Sequence, residues 1–207
     1  MSTFEHIRMH PERPQIRHIR RVAELLEKGY FAVVPTETTY GIMMLCNAYG
    51  AQQAVRTLRQ LDERHLWSLV CHDLPQASQF VKIDNHNHRI LKRHLPGPFT
   101  FVLPVNSQLH RRVLNKRKDI GIRMPDHPVC DMLLQELRQP LLATSVIFPG
   151  ESEIAIDPDV IIARIKHLNA VMLDVGWCGA EPTTVVDLND DVEQRVLRPG
   201  LGIWPID

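Results

Sequence analysis

Pro35-Thr36-Glu37-Thr38-Thr39-Tyr40-Gly41 gathers three threonine hydroxyls, a carboxylate and a phenol into one short stretch. Short hydrogen-bonding side chains of this kind suit a small polar ligand, and Gly41 permits close backbone approach. Taken alone, the stretch reads more readily as a plain polar turn. The rest of the chain repeats the pattern, however, because polar groups follow the ends of other apolar runs. Ile122 precedes Arg123, Leu142-Ala143 precedes Thr144-Ser145, Pro182-Thr183-Thr184 opens a run, and Arg198 and Gly200 close one. Hydroxyls, backbone amides and guanidinium groups are what hold phosphate or carboxylate, since arginine offers paired donors to either. The chain has no G-x-x-x-x-G-K-[ST], no G-x-G-x-x-G and no G-x-S-x-G, so neither the common nucleotide loops nor a serine nucleophile elbow accounts for these groups. Binding and alignment of anions is the chemistry they suggest.

The elements that must position them follow from apolar spacing. A short edge strand is expected over residues 3–9, then a helix with Pro14 at its first position and Ile16, Ile19, Val22, Ala23 and Leu26 on one face, ending at Gly29. Two strands flank the threonine loop, 30–34 and 42–45, the first ending at Pro35 because proline cannot donate to a ladder. Further on, the pattern predicts a helix from Ala51 to Leu61, a strand over 66–71, a helix over 85–95 capped by Asp84, and a strand over 99–103. A strand over 120–124, a helix from Pro128, a strand over 141–144 and a helix from Asp157-Pro158 to about Leu168 come next. Strands near 170–174, 184–188 and 195–198 close the chain. Trp67 is expected in the core, Trp177 and Trp204 as loop anchors, and Tyr49 in the turn before the second helix. Strands interleaved with helices, with hairpin-like neighbours late in the chain, predict one α/β domain with a mixed sheet over residues 1–207.

Lys plus Arg and Asp plus Glu balance at 24 each, so no global field draws the protein to nucleic acid or membrane and any such partner must use a local patch. The one dense candidate is His110 to Lys118, with Arg111, Arg112, Lys116, Arg117 and Lys118; Arg8, Arg13, Arg17, Arg20 and Arg21 form a looser group. No apolar run reaches the ~20 residues of a membrane span, and the first residues lack the form of a signal peptide. Cys46, Cys71, Cys130 and Cys178 stand far apart, the first two in expected strands and the third in an expected helix, which fits free thiols in a reducing cytoplasm. Eleven histidines show no zinc-like spacing, so no protein metal site is expected.

Six motifs then carry a resemblance: Pro35 to Gly41, Pro96-Gly97-Pro98-Phe99-Thr100, Ile122-Arg123-Met124-Pro125, Ala143-Thr144-Ser145, Pro182-Thr183-Thr184-Val185-Val186-Asp187 and Arg198-Pro199-Gly200. In this order they resemble the YrdC/YciO family, from about Phe4 to the end of the chain. The resemblance implies an open twisted mixed sheet flanked by helices, with a concave, positively lined cleft. It implies threonylcarbamoyl-AMP synthesis: threonine and bicarbonate give an N-carboxylated threonine, whose carboxylate attacks the α-phosphorus of ATP and releases pyrophosphate. Magnesium on the phosphates would supply charge that side chains do not. Partner proteins would carry the product to a transfer RNA, and double-stranded RNA is a further ligand that the family implies, here through the basic run at 111–118.

By the same resemblance Thr36, Thr38, Tyr40 and Thr184 would line the threonine pocket. Arg59, Arg123, Thr144, Ser145 and Arg198 would hold the nucleotide, with Arg59, Thr36 and Ser145 carrying catalysis. The chain departs from the family pattern at two places. Leu61 stands where an arginine is expected two residues after Arg59, with Arg64 a substitute from the following loop, and Ile147 stands where an asparagine is expected after Ser145. Both departures resemble the YciO branch. They leave two readings, a synthase of reduced or altered activity and an RNA- or nucleotide-binding protein without efficient catalysis.

Overall fold

Ten strands in one sheet and six helices lie among the residues described by the computed structural model, 3–62, 65–106, 118–189 and 194–205. In chain order they are Phe4–Arg8 (β1), Ile16–Glu27 (α1), Phe31–Pro35 (β2), Tyr40–Leu45 (β3), Tyr49–Arg59 (α2), Ser68–Val70 (β4), Leu74–Ser78 (α3) and Asn85–His94 (α4). Then follow Phe99–Pro104 (β5), Asp119–Arg123 (β6), Pro128–Leu137 (α5), Leu141–Ser145 (β7), Pro158–Ile165 (α6), Ala170–Asp174 (β8), Thr184–Asp187 (β9) and Arg195–Arg198 (β10). The sheet order is β1-β8-β2-β3-β7-β4-β6-β5-β9-β10, with parallel and antiparallel pairs interleaved. The α/β class with a mixed sheet is therefore as the alternation of patterns predicted.

Several boundaries differ for local reasons. α1 starts at Ile16, with Gln15 as its cap, rather than at Pro14. Pro35 closes β2 inside the sheet, opposite Tyr40. β4 is only three residues long, so Trp67 is buried just ahead of it and Cys71 just beyond it. Cys46 likewise follows β3 in a turn, while Cys130 lies in α5. α3 was not foreseen; its five residues are capped by Asp73, whose carboxylate accepts from the Gln76 amide. Asp84 and Asp157 cap α4 and α6 in the same manner. Trp177 does not anchor its loop: it is 75% exposed, whereas Trp204 packs on His94, Phe99 and Phe101. No helix among the described residues is long and apolar enough to cross a membrane.

Strand alternation sends residues to two apolar layers. On one face Ala32, Val34, Met43, Leu45, Leu141, Val171 and Leu173 pack under α1 and α5 through Ile19, Val22, Leu26, Val129 and Leu133. On the other, Phe31, Ile42, Leu69, Phe101, Ile122 and Met172 pack against Val55 of α2, Leu91 of α4 and Ile161 of α6. The first face changes character beyond β3. From β7 to β9 its outward residues are small, and the register aligns them: Ala143 opposite Ser68, Ser68 opposite Gly121, Gly121 opposite Val102, and Thr100 opposite Val185. Large side chains are missing from this stripe, and a hollow takes their place.

Candidate functional site

A hollow of about 370 Å³ lies over that stripe, a size suited to small-molecule ligands. Its floor is Gly41, Ser68, Thr100, Val102, Gly121, Ala143 and Val185, and its rim includes Tyr40, Arg59, His65, Trp67, Arg123, Thr144, Ser145, Ile147, Thr183 and Arg198. Gly121 is required where it stands, since a Cβ there would lie 2.8 Å from the Thr100 methyl and 3.3 Å from Ser68 Oγ.

The threonine loop sits directly behind the hollow and is held from it by Arg123. Thr36 folds the turn on itself: its hydroxyl donates to the Thr39 carbonyl at 2.6 Å and accepts from the Thr39 amide at 3.2 Å. Arg123, at the end of β6 and 9% exposed, places Nη2 at 2.9 Å from Thr36 Oγ1, 3.0 Å from Glu37 Oε1 and 2.6 Å from Thr38 Oγ1. The other carboxylate oxygen of Glu37 accepts from the Asp126 amide at 3.1 Å. Glu37 thus has a structural bond to backbone, from the segment beyond β6 rather than from its own turn. Arg123 Nε is buried with no hydrogen-bond partner among the described residues.

Tyr40 ties this loop to the segment after β8. Its hydroxyl donates to the Gly176 carbonyl at 2.6 Å and accepts from the Val175 amide at 3.1 Å. Burial raises its pKa, so the phenol stays protonated. Gly179 lies so close that a Cβ on it would be 2.3 Å from the Thr38 carbonyl. Burial also pushes the nearby Cys178 thiol up to about 11, which leaves it a poor nucleophile at neutral pH.

Arg59, in the last turn of α2, crosses to β7. Its Nε donates to the Ile147 carbonyl at 2.9 Å and its Nη1 donates to Thr144 Oγ1. Arg198, the last residue of β10, donates to the Thr183 carbonyl at 2.9 Å, and Thr183 Oγ1 lies 2.8 Å from Thr100 Oγ1. Neither Arg59 nor Arg198 has an ion pair among the described residues. Burial lowers the pKa of both, and for Arg198 the neighbouring Arg123 lowers it further. Both remain charged, since guanidinium is not deprotonated in proteins. Among its described lining residues the hollow therefore has three guanidinium groups and no carboxylate, only Arg123 of the three being paired, with Glu37, which leaves it positive.

Of the residues singled out in the sequence, Tyr40, Arg59, Arg123, Thr144, Ser145 and Arg198 line this hollow, with Thr36 and Thr38 buried behind it. Thr184 does not line it: that side chain is 1% exposed and donates to the Gly202 carbonyl at 2.6 Å, while Thr183 faces the cavity. Leu61 packs against the apolar layer beneath α2 rather than on the rim. Lys118 is exposed beside β6, and Arg64, Arg111, Arg112, Lys116 and Arg117 lie outside the described residues.

His65 and Trp67 were missed. They stand edge to face with ring centroids 5.2 Å apart, and His65 Nε2 lies 3.0 Å from Thr144 Oγ1. Burial, aided by Arg59 and Arg56 and opposed by Asp62, lowers His65 to about 4, so the ring is neutral at pH 7. The small floor residues were missed too; their only trace in the sequence is the alternation of Ile120 and Ile122 with Gly121 and Arg123. An arrangement of fixed cations, hydroxyls and no activated nucleophile can bind an anion and align two bound reactants.

Comparison with known proteins agrees with this architecture. The sequence profile of the Sua5/YciO/YrdC family, described as telomere recombination, matches residues 24–200. The uncharacterised YciO of Escherichia coli K12 is 36% identical over 203 residues, which is 98% of this chain and 97% of its own. The E. coli YciO crystal structure superposes with a TM-score of 0.88 over 98% of each chain. A threonylcarbamoyl-AMP synthase of Vibrio vulnificus is 25% identical over 141 residues, 67% of this chain and 76% of its own. Sua5 of P. abyssi, complexed with L-threonine, is 23% identical and shares the fold, with a TM-score of 0.84 over 96% of this chain and 58% of its own.

Proposed function

This chain belongs to the Sua5/YciO/YrdC family, and from that membership we propose that its hollow binds ATP and L-threonine and joins them, with bicarbonate, as threonylcarbamoyl-AMP. The observation that carries the reading is the convergence of Arg59, Arg123 and Arg198 on one hollow with no carboxylate among its described lining residues, Glu37 being bound to Arg123 behind it. Two uncompensated guanidinium groups suit a polyphosphate, and the reaction needs no enzyme nucleophile: the carbamate oxygen attacks the α-phosphorus and pyrophosphate leaves. Arg59 and Ser145 from the rim, with Thr36 acting from behind it through Arg123, would stabilise the charge that builds up during transfer. Thr38, Tyr40 and Thr183 would enclose the amino acid, which P. abyssi Sua5 is known to bind. Magnesium would arrive on the nucleotide and offset phosphate charge. The product would be passed to transfer RNA by partner proteins in the cytoplasm.

The test is pyrophosphate release from ATP. It is expected to require both threonine and bicarbonate and to fall at least 100-fold in Arg59→Ala, about the loss of one charged contact in the transition state. Release no greater than that of Arg59→Ala would remove the proposal.

The position of Leu61 supports a second reading. It packs into the apolar layer and adds no cation to the rim, which fits a nucleotide- or double-stranded-RNA-binding protein without efficient catalysis. Calorimetric ATP binding without pyrophosphate release would select it. RNA binding through 111–118 would then weaken steeply with added salt.

A further inference from the structure

We infer that His65 is a positioning residue, which orients the Thr144 hydroxyl so that it accepts from Arg59 and so fixes the guanidinium facing the ligand. The inference rests on reading the hollow as an anion site and adds to it the device that holds one of its two arginines without an ion pair among the described residues.

Arg59 has five N–H donors. Two are spent on the protein, Nε on the Ile147 carbonyl and Nη1 on Thr144 Oγ1. The others have no protein partner among the described residues and are left for a ligand. The grip on Arg59 thus depends on a hydroxyl, and a hydroxyl rotates freely unless its own proton has a destination. His65 Nε2, 3.0 Å from Thr144 Oγ1, is the nearest one described. If Nε2 is bare, the bonds run in one direction: Arg59 Nη1–H to Thr144 Oγ1, and Thr144 Oγ1–H to His65 Nε2. If Nε2 carries a proton, two donors meet on Thr144 and its own hydrogen turns elsewhere.

The surroundings oppose the doubly protonated ring, and with Arg59 Nη1 already donating to Thr144 Oγ1, the neutral form that gives the hydroxyl's own proton a destination is the one with Nε2 bare. Among the described residues the charged groups acting on the ring are Arg56 and Arg59 from α2 and Asp62 beyond it, with Trp67 edge-on and Thr144 from β7. Arg56 is itself held over the Trp67 ring at 5.2 Å and donates to the Asp62 carbonyl at 2.6 Å, so two guanidinium groups and one carboxylate act on the imidazole. A neutral imidazole also adds a hydrogen-bonding edge to the rim without a further positive charge, on the side where Leu61 adds none either.

The full-length protein, labelled with nitrogen-15, provides the test. Long-range proton–nitrogen spectra at pH 7 should show the His65 proton on Nδ1 with Nε2 bare; a protonated Nε2 would overturn the inference without any variant being made. Hydrogen exchange of Arg59 Nε–H should be at least tenfold faster in His65→Ala and within threefold of the original in His65→Gln, whose amide oxygen replaces the acceptor. Equal exchange in His65→Ala, or no recovery in His65→Gln, counts against it. Titration with inorganic pyrophosphate separates this idea from the reading of the hollow. About tenfold weaker binding in His65→Ala, recovered in His65→Gln, is expected, and unchanged affinity would overturn the inference. Failure of the unaltered protein to bind pyrophosphate would instead strike at the anion site, while the exchange rates still decide the role of His65.

Discussion

Arg123 is the residue on which the threonine loop depends, since one of its nitrogens serves two hydroxyls and a carboxylate that are all withdrawn from water. Its side chain is 11% exposed and that of Glu37 14%. Arg123→Ala would leave Glu37 charged and unpaired, which for a buried ion pair costs about 3 kcal/mol. The urea midpoint should fall accordingly, and binding should be lost with it because the loop is released. His65 makes a different contribution, one that depends on acidity. Its pKa is about 4 when folded against 6.5 as a free side chain, so between those values the unfolded chain takes up the proton more readily. Stability tied to this residue is present above pH 6.5 and is lost as pH falls toward 4. His127, lowered by burial at the start of α5, adds in the same direction. Urea midpoints at pH 7 and pH 5 should therefore differ less in His65→Gln than in the unaltered protein.

At the level of elements, the hollow exists because five adjacent strands present small side chains at matching heights. Gly121→Val should fill the floor against Thr100 and Ser68, with an overpacking cost of about 1–3 kcal/mol and loss of nucleotide binding measured by calorimetry. Much of the framework behind this was readable from the chain. Pro35, Pro125 and Pro199 mark strand ends, and this is what placed Thr36, Arg123 and Arg198 beside breaks in the sheet. Sheet register was not readable, because it depends on which strands become neighbours across the fold. Ser68 pairs with Ala143 on one side and Gly121 on the other, positions 75 and 53 residues away. For the same reason Thr183 and Thr184 could not be told apart until Thr100 was seen opposite Val185. His65 left no periodic signal, since α2 ends in a left-handed residue, Gln60, and the loop beyond has no repeat to read. Helix α3 escaped because five residues are too few to establish a helical spacing.

For the whole molecule, 24 basic and 24 acidic residues cancel, yet three arginines share one cavity. Attraction for anions is thus a property of the hollow rather than of the surface at large. A ligand bound there should stabilise the fold by mass action. ATP at a hundred times its dissociation constant adds ~2.7 kcal/mol, or roughly 5–10 °C in Tm for a chain of this length. Differential scanning calorimetry should record that rise, and Arg59→Ala should show less than half of it at the same ATP concentration. At one edge of the sheet, β10 has β9 as its sole partner among the described residues, a register shift between Val196 and Arg198, and all four of its residues exposed. Arg198 is therefore borne by the part of the sheet with fewest ties. Peeling that ribbon back would withdraw a third of the guanidinium charge while both apolar layers stayed dry. A bound anion could then depart by a local opening far less costly than melting the protein.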